Sequence, residues 1–158
     1  MTKNVDSVDL LTRREIEAAI AAPLIRAFAE ELGSERAFAI AASVIENLSE
    51  EAGKALAGFA GGKQLEDLAR ILPFFSAGGA WEFEPPTSEP GRVTINITKC
   101  RYTEMYERLG VKELGFLLSC GRDRALFKGF NPEIEFTRTQ TIMEGADHCD
   151  FCLSAGRE

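Results

Sequence analysis

The sequence is short of basic charge, of histidine and of long apolar runs. Its 158 residues include 18 lysines and arginines against 25 aspartates and glutamates, a formal charge of −7, and one histidine, His148. Proteins that bind nucleic acid or anionic membranes usually show the opposite balance, so neither partner is expected. No stretch approaches the ~20 apolar residues of a membrane span. The N-terminus has no apolar segment with a cleavage signature, so we expect a cytoplasmic protein.

Cysteine is also sparse, with four residues: Cys100, Cys120, Cys149 and Cys152. In a reducing compartment such cysteines serve packing, metal binding or chemistry rather than disulfides. The length predicts one domain over residues 1–158. Within it, residues 1–76 form a helical half, and residues 77–158 form a sheet-containing half that carries the candidate site.

Apolar residues recur at helical spacing near the N-terminus, which predicts a first helix. It begins at a capping box of Thr12 and Glu15, is kinked or split at Pro23, and ends at Gly33. Its apolar residues are four apart: Ile16, Ile20, Leu24, Phe28 and Leu32.

Two more helices are predicted before the first strand. The second begins after an N-cap at Ser34 and ends at the segment "GFAGG". The third runs from about Lys63 to Leu72 and is ended by Pro73.

Alternating apolar and polar residues then predict strands. They lie within "WEFEPPTSEPGRVTINITK", "NPEIEFTRTQTIMEG" and "CDFCL", and short helical segments separate the first and second stretches. The order predicts an α+β fold, in which N-terminal helices pack on an antiparallel sheet of about four strands interrupted by short helices.

The long strand predicted in "NPEIEFTRTQTIMEG" breaks its own pattern. Alternation places Arg138 and Gln140 on the same face as the apolar Ile134 and Phe136. A buried guanidinium is costly unless it is paired. Either an internal acid such as Asp123 pairs with Arg138, or that face lines a pocket and a ligand carboxylate binds there, and both roles can coexist.

The return strand "CDFCL" separates its two cysteines. Alternation places Cys149 on the inward face and Cys152 on the opposite face. Zinc or redox sites of this spacing need both sulfurs on one side, so no metal site is predicted here. His148 faces away from Cys149 and is assigned a supporting or turn role.

Two further clusters contain candidate site residues. In "SCGRD", Cys120 and Asp123 are three residues apart, close enough to act together. In "CRYTEMYERLG", Tyr102 and Tyr106 share a helix face behind Cys100, and they serve either as packing or as a wall over a planar ligand.

The segments "CRYTEMYERLG", "CGRD", "GFNPEIEFTRTQT" and "GADHCDF", taken in order, resemble the L-2-amino-thiazoline-4-carboxylic acid hydrolase family. The resemblance covers about the last third of the chain well, and the helical half, whose first helix ends in "ELGSERA", is similar to the family less specifically. It implies a small cytosolic hydrolase that opens a thiazoline ring at its C–S bond and yields N-carbamoyl-cysteine, with no metal or organic cofactor as a signature.

This chemistry suggests roles for the candidate residues. Cys120 or Cys149 would be the nucleophile, and Asp123 would move protons. Arg138 would hold the substrate carboxylate, and the other residues expected at the substrate site are Tyr102, Gln140, Cys100 and His148. The partner would be a small-molecule substrate, and a homo-oligomer is compatible with the sequence.

The alternative is a binding domain without catalysis. Small-molecule sensor domains can contain zinc, and such a domain would join Cys100 or Cys120 to Cys149 through the metal.

Overall fold

The computed structural model describes residues 8–156, so the expectation about the N-terminus lies partly outside the described residues. The helices are α1 Leu10–Leu32, α2 Ser34–Ala60, α3 Leu65–Phe75, α4 Arg101–Arg108 and α5 Arg122–Phe130. The strands are β1 Trp81–Phe83, β2 Thr87–Glu89, β3 Arg92–Cys100, β4 Ile134–Thr137 and β5 Cys149–Ala155. The α+β prediction is confirmed, with five strands rather than about four.

The sheet is antiparallel throughout. Its order is β1-β3-β5-β4, and the short β2 also pairs with β3. The central pair β3 and β5 brings Ile97 opposite Cys149 and Ile95 opposite Phe151. Short helical turns connect the elements at residues 77–79, 112–114, 116–120 and 142–144, the third of them π-helical.

The helix boundaries correct three predictions. Helix α1 is capped by Asp9, whose carboxylate accepts hydrogen bonds from the backbone N–H of Thr12 at 2.9 Å and its hydroxyl at 2.8 Å. The predicted capping box at Thr12 is therefore wrong. Pro23 lies inside one continuous α1, so the chain is not split there. Pro73 also lies inside a helix, because α3 continues to Phe75.

The long strand predicted over residues 131–145 is wrong beyond Thr137. The backbone N–H groups of Thr139 and Gln140 donate to the Asp150 carboxylate, each at 2.9 Å, instead of continuing the ladder. This side chain offers the backbone an alternative to the sheet, so the strand ends.

Two apolar clusters form the core. One lies between the sheet and helices α2, α3 and α5, and includes Phe75, Phe127, Phe136 and Phe151. The other lies between α1, α2, α4 and the π-helical turn, and is centred on the fully buried Tyr106.

Helices α2 and α5 pack closely against each other at a glycine on each helix. A Cβ at Gly129 would overlap the backbone oxygen of Glu50, and one at Gly53 would overlap that of Leu126. Glycine is therefore required for this approach, which also lets the Ser49 hydroxyl donate to the carbonyl of Arg122 at 2.8 Å. No helix within residues 8–156 is both long and apolar enough to cross a membrane.

Candidate functional site

The first turn of α5 holds the predicted acid in a buried ion pair. Asp123 meets Arg138, which follows β4, with 2.5 Å between Oδ2 and Nη1. Their side chains are only 15% and 10% exposed. The predicted pairing of Arg138 with an internal acid is confirmed.

Other groups occupy the rest of the Arg138 guanidinium. Both of its Nη atoms donate to the carbonyl of Cys120 at 3.3 Å. Its central carbon lies 5.4, 5.7 and 5.6 Å from the ring centroids of Phe116, Phe136 and Phe151, which are favourable cation–π distances. Protein groups thus surround Arg138, and it orients Asp123.

Three cysteines lie around this ion pair. Cys149 is buried with Phe151 and Leu153 on the inward face of β5, as predicted, and its sulfur accepts from the N–H of Ile142 at 3.2 Å. Cys100 and Cys120 are half-buried against the apolar cluster that is centred on Tyr106. We refer to Cys100, Cys120 and Cys149 as the thiol cluster.

Burial disfavours thiolates in the thiol cluster. It raises the pKa of Cys149 to about 11 and also raises the pKa of Cys100. The pKa of Cys120 is raised by burial and, secondarily, by the negative charge of nearby Asp123. The three thiols are therefore protonated at neutral pH.

The pKa of the Asp123 carboxyl group is raised above its ordinary value. Burial raises the pKa of Asp123 to about 7, against the opposing attraction of Arg138, Arg122 and Arg14. A carboxyl group with such a pKa can accept and return a proton near pH 7.

A cavity of about 690 Å³ opens on the other side of Asp123. Aromatic side chains form one part of its wall: Phe59, Phe74, Phe75 and Trp81. Polar and charged side chains form another part: Asp9, Arg13, Arg14, Ser49, Tyr102, Ser119, Arg122 and Asp123. Of the predicted site residues, Asp123 and Tyr102 line this cavity, and no cysteine does.

Two arginines of the cavity wall share one carboxylate. The Arg14 side chain is paired with Glu17, and Nη2 of Arg122 lies 3.2 Å from the same oxygen. Arg14 and Arg122 are 18% and 16% exposed, whereas Glu17 is 41% exposed. Burial lowers the pKa of Arg122, and the neighbouring Arg14 lowers it further. A second carboxylate at this position would relieve the repulsion between the two guanidinium groups.

Gln140 and His148 lie together near the turn before β5, outside the cavity wall. The Gln140 amide nitrogen donates to the His148 carbonyl at 3.0 Å, and the His148 ring nitrogen Nδ1 lies 2.6 Å from the carboxylate of Asp147. No group of three histidine, cysteine or acidic side chains within residues 8–156 is arranged to hold a metal ion.

The sequence interpretation missed Arg13, Arg14, Arg122 and Trp81 as wall residues. The dipeptide "RR" at 13–14 and the arginine in "CGRD" were visible signals. Their meaning depends on α1 packing next to the start of α5, which no local pattern specifies.

A sequence model of the L-2-amino-thiazoline-4-carboxylic acid hydrolase family matches residues 13–153, nearly the whole chain. The chain belongs to this family. The resemblance seen in the last third of the sequence is thereby confirmed and extended through the helical half. No curated protein has a sequence that matches this one significantly.

Solved structures share the fold at low identity. The phenol-responsive sensory domain of the transcription activator PoxR, with phenol, aligns with a TM-score of 0.54 and 12% identity, over 87% of this chain and 73% of that chain. A trafficking protein particle complex subunit 3 from Naegleria fowleri, covalently bound to palmitic acid, aligns with a TM-score of 0.53 and 13% identity, over 93% of this chain and 99% of that chain. Such similarity establishes a common fold and not a common activity.

Proposed function

We propose that this member of the hydrolase family binds a small carboxylate-bearing heterocycle of the thiazoline class in the cavity and opens its ring at a C–S bond. The observation that carries the proposal is the arrangement of the charged side chains in the cavity wall. Arg14 and Arg122 both pair with the Glu17 carboxylate at the cavity. The buried Asp123 lies beside them, and an aromatic wall forms another part of the same cavity.

The binding mode follows from the two kinds of wall. A planar ring would lie against Trp81 and Phe75, which stack on each other with centroids 5.6 Å apart. Its carboxylate would bind the forked donors of Arg14 and Arg122. Tyr102, which lines the same cavity, would lie beside the ring. The volume of about 690 Å³ falls within the range of small-molecule sites.

Asp123 is the proton-transfer group in this proposal. Water adds to the ring carbon bonded to sulfur and two nitrogens, and Asp123 takes the water proton. The C–S bond then breaks, its electron pair goes to sulfur, and Asp123 returns the proton to the leaving thiolate. The remaining hydroxyl proton passes to the former ring nitrogen, which converts the C–OH to a carbonyl. The product is a carbamoyl thiol, and Arg138 holds Asp123 in position throughout.

A covalent route through Cys120 or Cys149 is the competing mechanism. A thiolate would add to the same carbon, expel the ring sulfur, and leave an isothiourea that water cleaves. It requires a thiolate whose formation burial opposes, and movement of a thiol to the cavity. The water route needs neither, and we favour it.

Turnover of 2-amino-thiazoline-4-carboxylate tests the proposal, because the product thiol reacts with a colorimetric thiol reagent and is identified by mass. We expect wild-type turnover, and a fall in kcat of about 100-fold or more in Asp123→Asn. Asp147→Asn, an exposed acid outside the cavity wall, should retain full activity. The carboxamide analogue of the substrate should show a KM raised about tenfold. Absence of both binding and turnover would contradict the proposal.

The second candidate is binding without turnover, and the aromatic wall favours it. Four aromatic residues suit an apolar ring, and the PoxR domain of the same fold responds to phenol. Calorimetry that shows tight binding of the thiazoline or of phenol, with no product over hours, would favour this function over hydrolysis.

A further inference from the structure

The outer surfaces of α1 and α2 are apolar. On α1 the residues four apart face solvent instead of the core: Ile16, Ile20, Leu24, Phe28 and Leu32, each 43–64% exposed. On α2 a similar row consists of Ile40, Val44 and Leu48, each 49–60% exposed. Together these eight residues are called the outer face. The core side of α1 is formed by Ala18, Ala22 and Ile25.

The middle of each helix lacks charge on every side. Residues 18–25 and 37–45 contain no aspartate, glutamate, lysine or arginine. A surface helix normally carries charged residues opposite its core side, whereas a helix that is apolar all round is buried. Since α1 and α2 pack on each other and both turn these rows away from the core, the rows are expected to be covered by another surface.

The size of the outer face matches a stable interface. At about 100 Å² for each half-exposed Ile, Leu, Val or Phe, eight residues present roughly 800 Å², above the largest apolar patch of a typical monomer. Each partner of a standard protein interface buries about the same area.

We propose that the outer face binds the outer face of a second copy of this chain, giving a two-fold symmetric dimer. In such a dimer the same patch meets itself, so like charges at its centre would repel. The charge-free centre meets this requirement, and two of the charged pairs near it are formed within the chain: Glu15 pairs with Arg108, and Arg26 with Glu113. An anionic lipid surface is disfavoured because the whole chain carries a formal charge of −7.

Mass measurement in solution tests the proposal. We expect the full chain, whose monomer mass is 17.3 kDa, to sediment and elute at twice that mass at micromolar concentration. The double variant Leu24→Asp/Val44→Asp should be monomeric, with unchanged circular dichroism. Ser88→Asp, which adds charge on the exposed strand β2, should stay dimeric.

A mixing experiment keeps the test independent of folding defects. Leu24→Lys/Val44→Lys should also be monomeric alone, and an equal mixture with the aspartate variant should restore the dimer mass, because opposite charges then meet. A wild-type chain that is monomeric at ~100 μM would overturn the proposal. Failure of the mixture to associate, or binding of monomeric wild type to phosphatidylcholine vesicles, would overturn it as well.

Discussion

Two regions meet at Asp123, and they differ in what the sequence reveals of them. The first contains Arg138 and the thiol cluster, where the motifs of the sequence concentrate. The second is the cavity, whose arginines come from α1 and α5 and whose aromatic wall comes from α2, α3 and β1. In the first region the side chains are packed, and protein groups occupy the hydrogen-bond donors of Arg138. The cavity, in contrast, is accessible, and two of its arginines share one carboxylate. In the proposed function, the reactive residue types therefore mark where the site is anchored, and the ligand binds in the neighbouring cavity.

Removal of the Asp123 carboxylate, which both regions share, should have the largest effect on stability and turnover. Asp123→Ala leaves the buried Arg138 without its carboxylate, and we expect a loss of about 3 kcal/mol in the free energy of unfolding, together with loss of turnover. Denaturant titration measures the first effect. In Asp123→Ala/Arg138→Met the stability should largely return while turnover stays lost. Recovery of turnover in that double variant would contradict the assignment of Asp123 as the proton-transfer group.

The close contact between α2 and α5 positions Asp123 against the cavity. The substitution Gly129→Ala should disturb this contact. The added methyl meets the backbone of Glu50, which cannot move aside easily, so we expect a loss of about 2 kcal/mol. Gly58→Ala, on α2, is the control, since its methyl would meet nothing within 4 Å. That control should stabilise the protein by up to about 1 kcal/mol. Equal melting temperatures for the two variants would refute the close approach.

Titration of Asp123 should give stability a pH dependence of defined sign. Because burial raises the pKa of Asp123 from 3.8 to about 7, the folded chain binds more protons than the unfolded chain between these values. The free energy of unfolding should therefore fall as the pH rises from about 4 to 7, relative to Asp123→Asn. Parallel denaturant titrations across this range measure the difference. A difference that is flat or that rises with pH would show that the Arg138 pairing dominates over burial.

The smallest effects are expected in the thiol cluster. Cys149→Ala removes a buried sulfur and should cost about 1 kcal/mol, whereas the half-buried Cys152→Ala should stay within about 0.5 kcal/mol. Both should keep turnover near wild type. A covalent adduct on Cys120 or Cys149, trapped by acid quench and found by mass spectrometry, would instead establish the covalent route.

Strand phasing predicted much of the first region from sequence. It placed Cys149 inward and Cys152 outward, because alternation in a strand has one unambiguous period. It also marked Arg138 as a buried cation that an internal acid such as Asp123 or a ligand carboxylate must pair, although Arg138 lies one residue past the end of β4. It failed beyond Thr137, where the Asp150 side chain competes for backbone N–H groups. The cavity was not predicted because Arg14 and Arg122 are distant in sequence and meet only through the packing of α1 beside α5.

The residue spacing on α1 did not indicate which side of the helix packs on the core. The row of residues four apart indicates a helix correctly, but that row faces outward, and the core contacts Ala18, Ala22 and Ile25. Periodicity identifies an apolar side and does not say whether the core or a second molecule covers it.

A comparison of kcat/KM between Arg122→Gln and Cys120→Ala distinguishes the cavity from the thiol cluster as the place of the reaction, with the exposed Arg124→Gln as the control on the same helix as Arg122. If the cavity is the site, Arg122→Gln should lose about tenfold or more in kcat/KM through a higher KM. Cys120→Ala and Arg124→Gln should stay within about threefold of wild type. Full activity in Arg122→Gln with an inactive, folded Cys120→Ala would place the reaction in the thiol cluster and contradict the account.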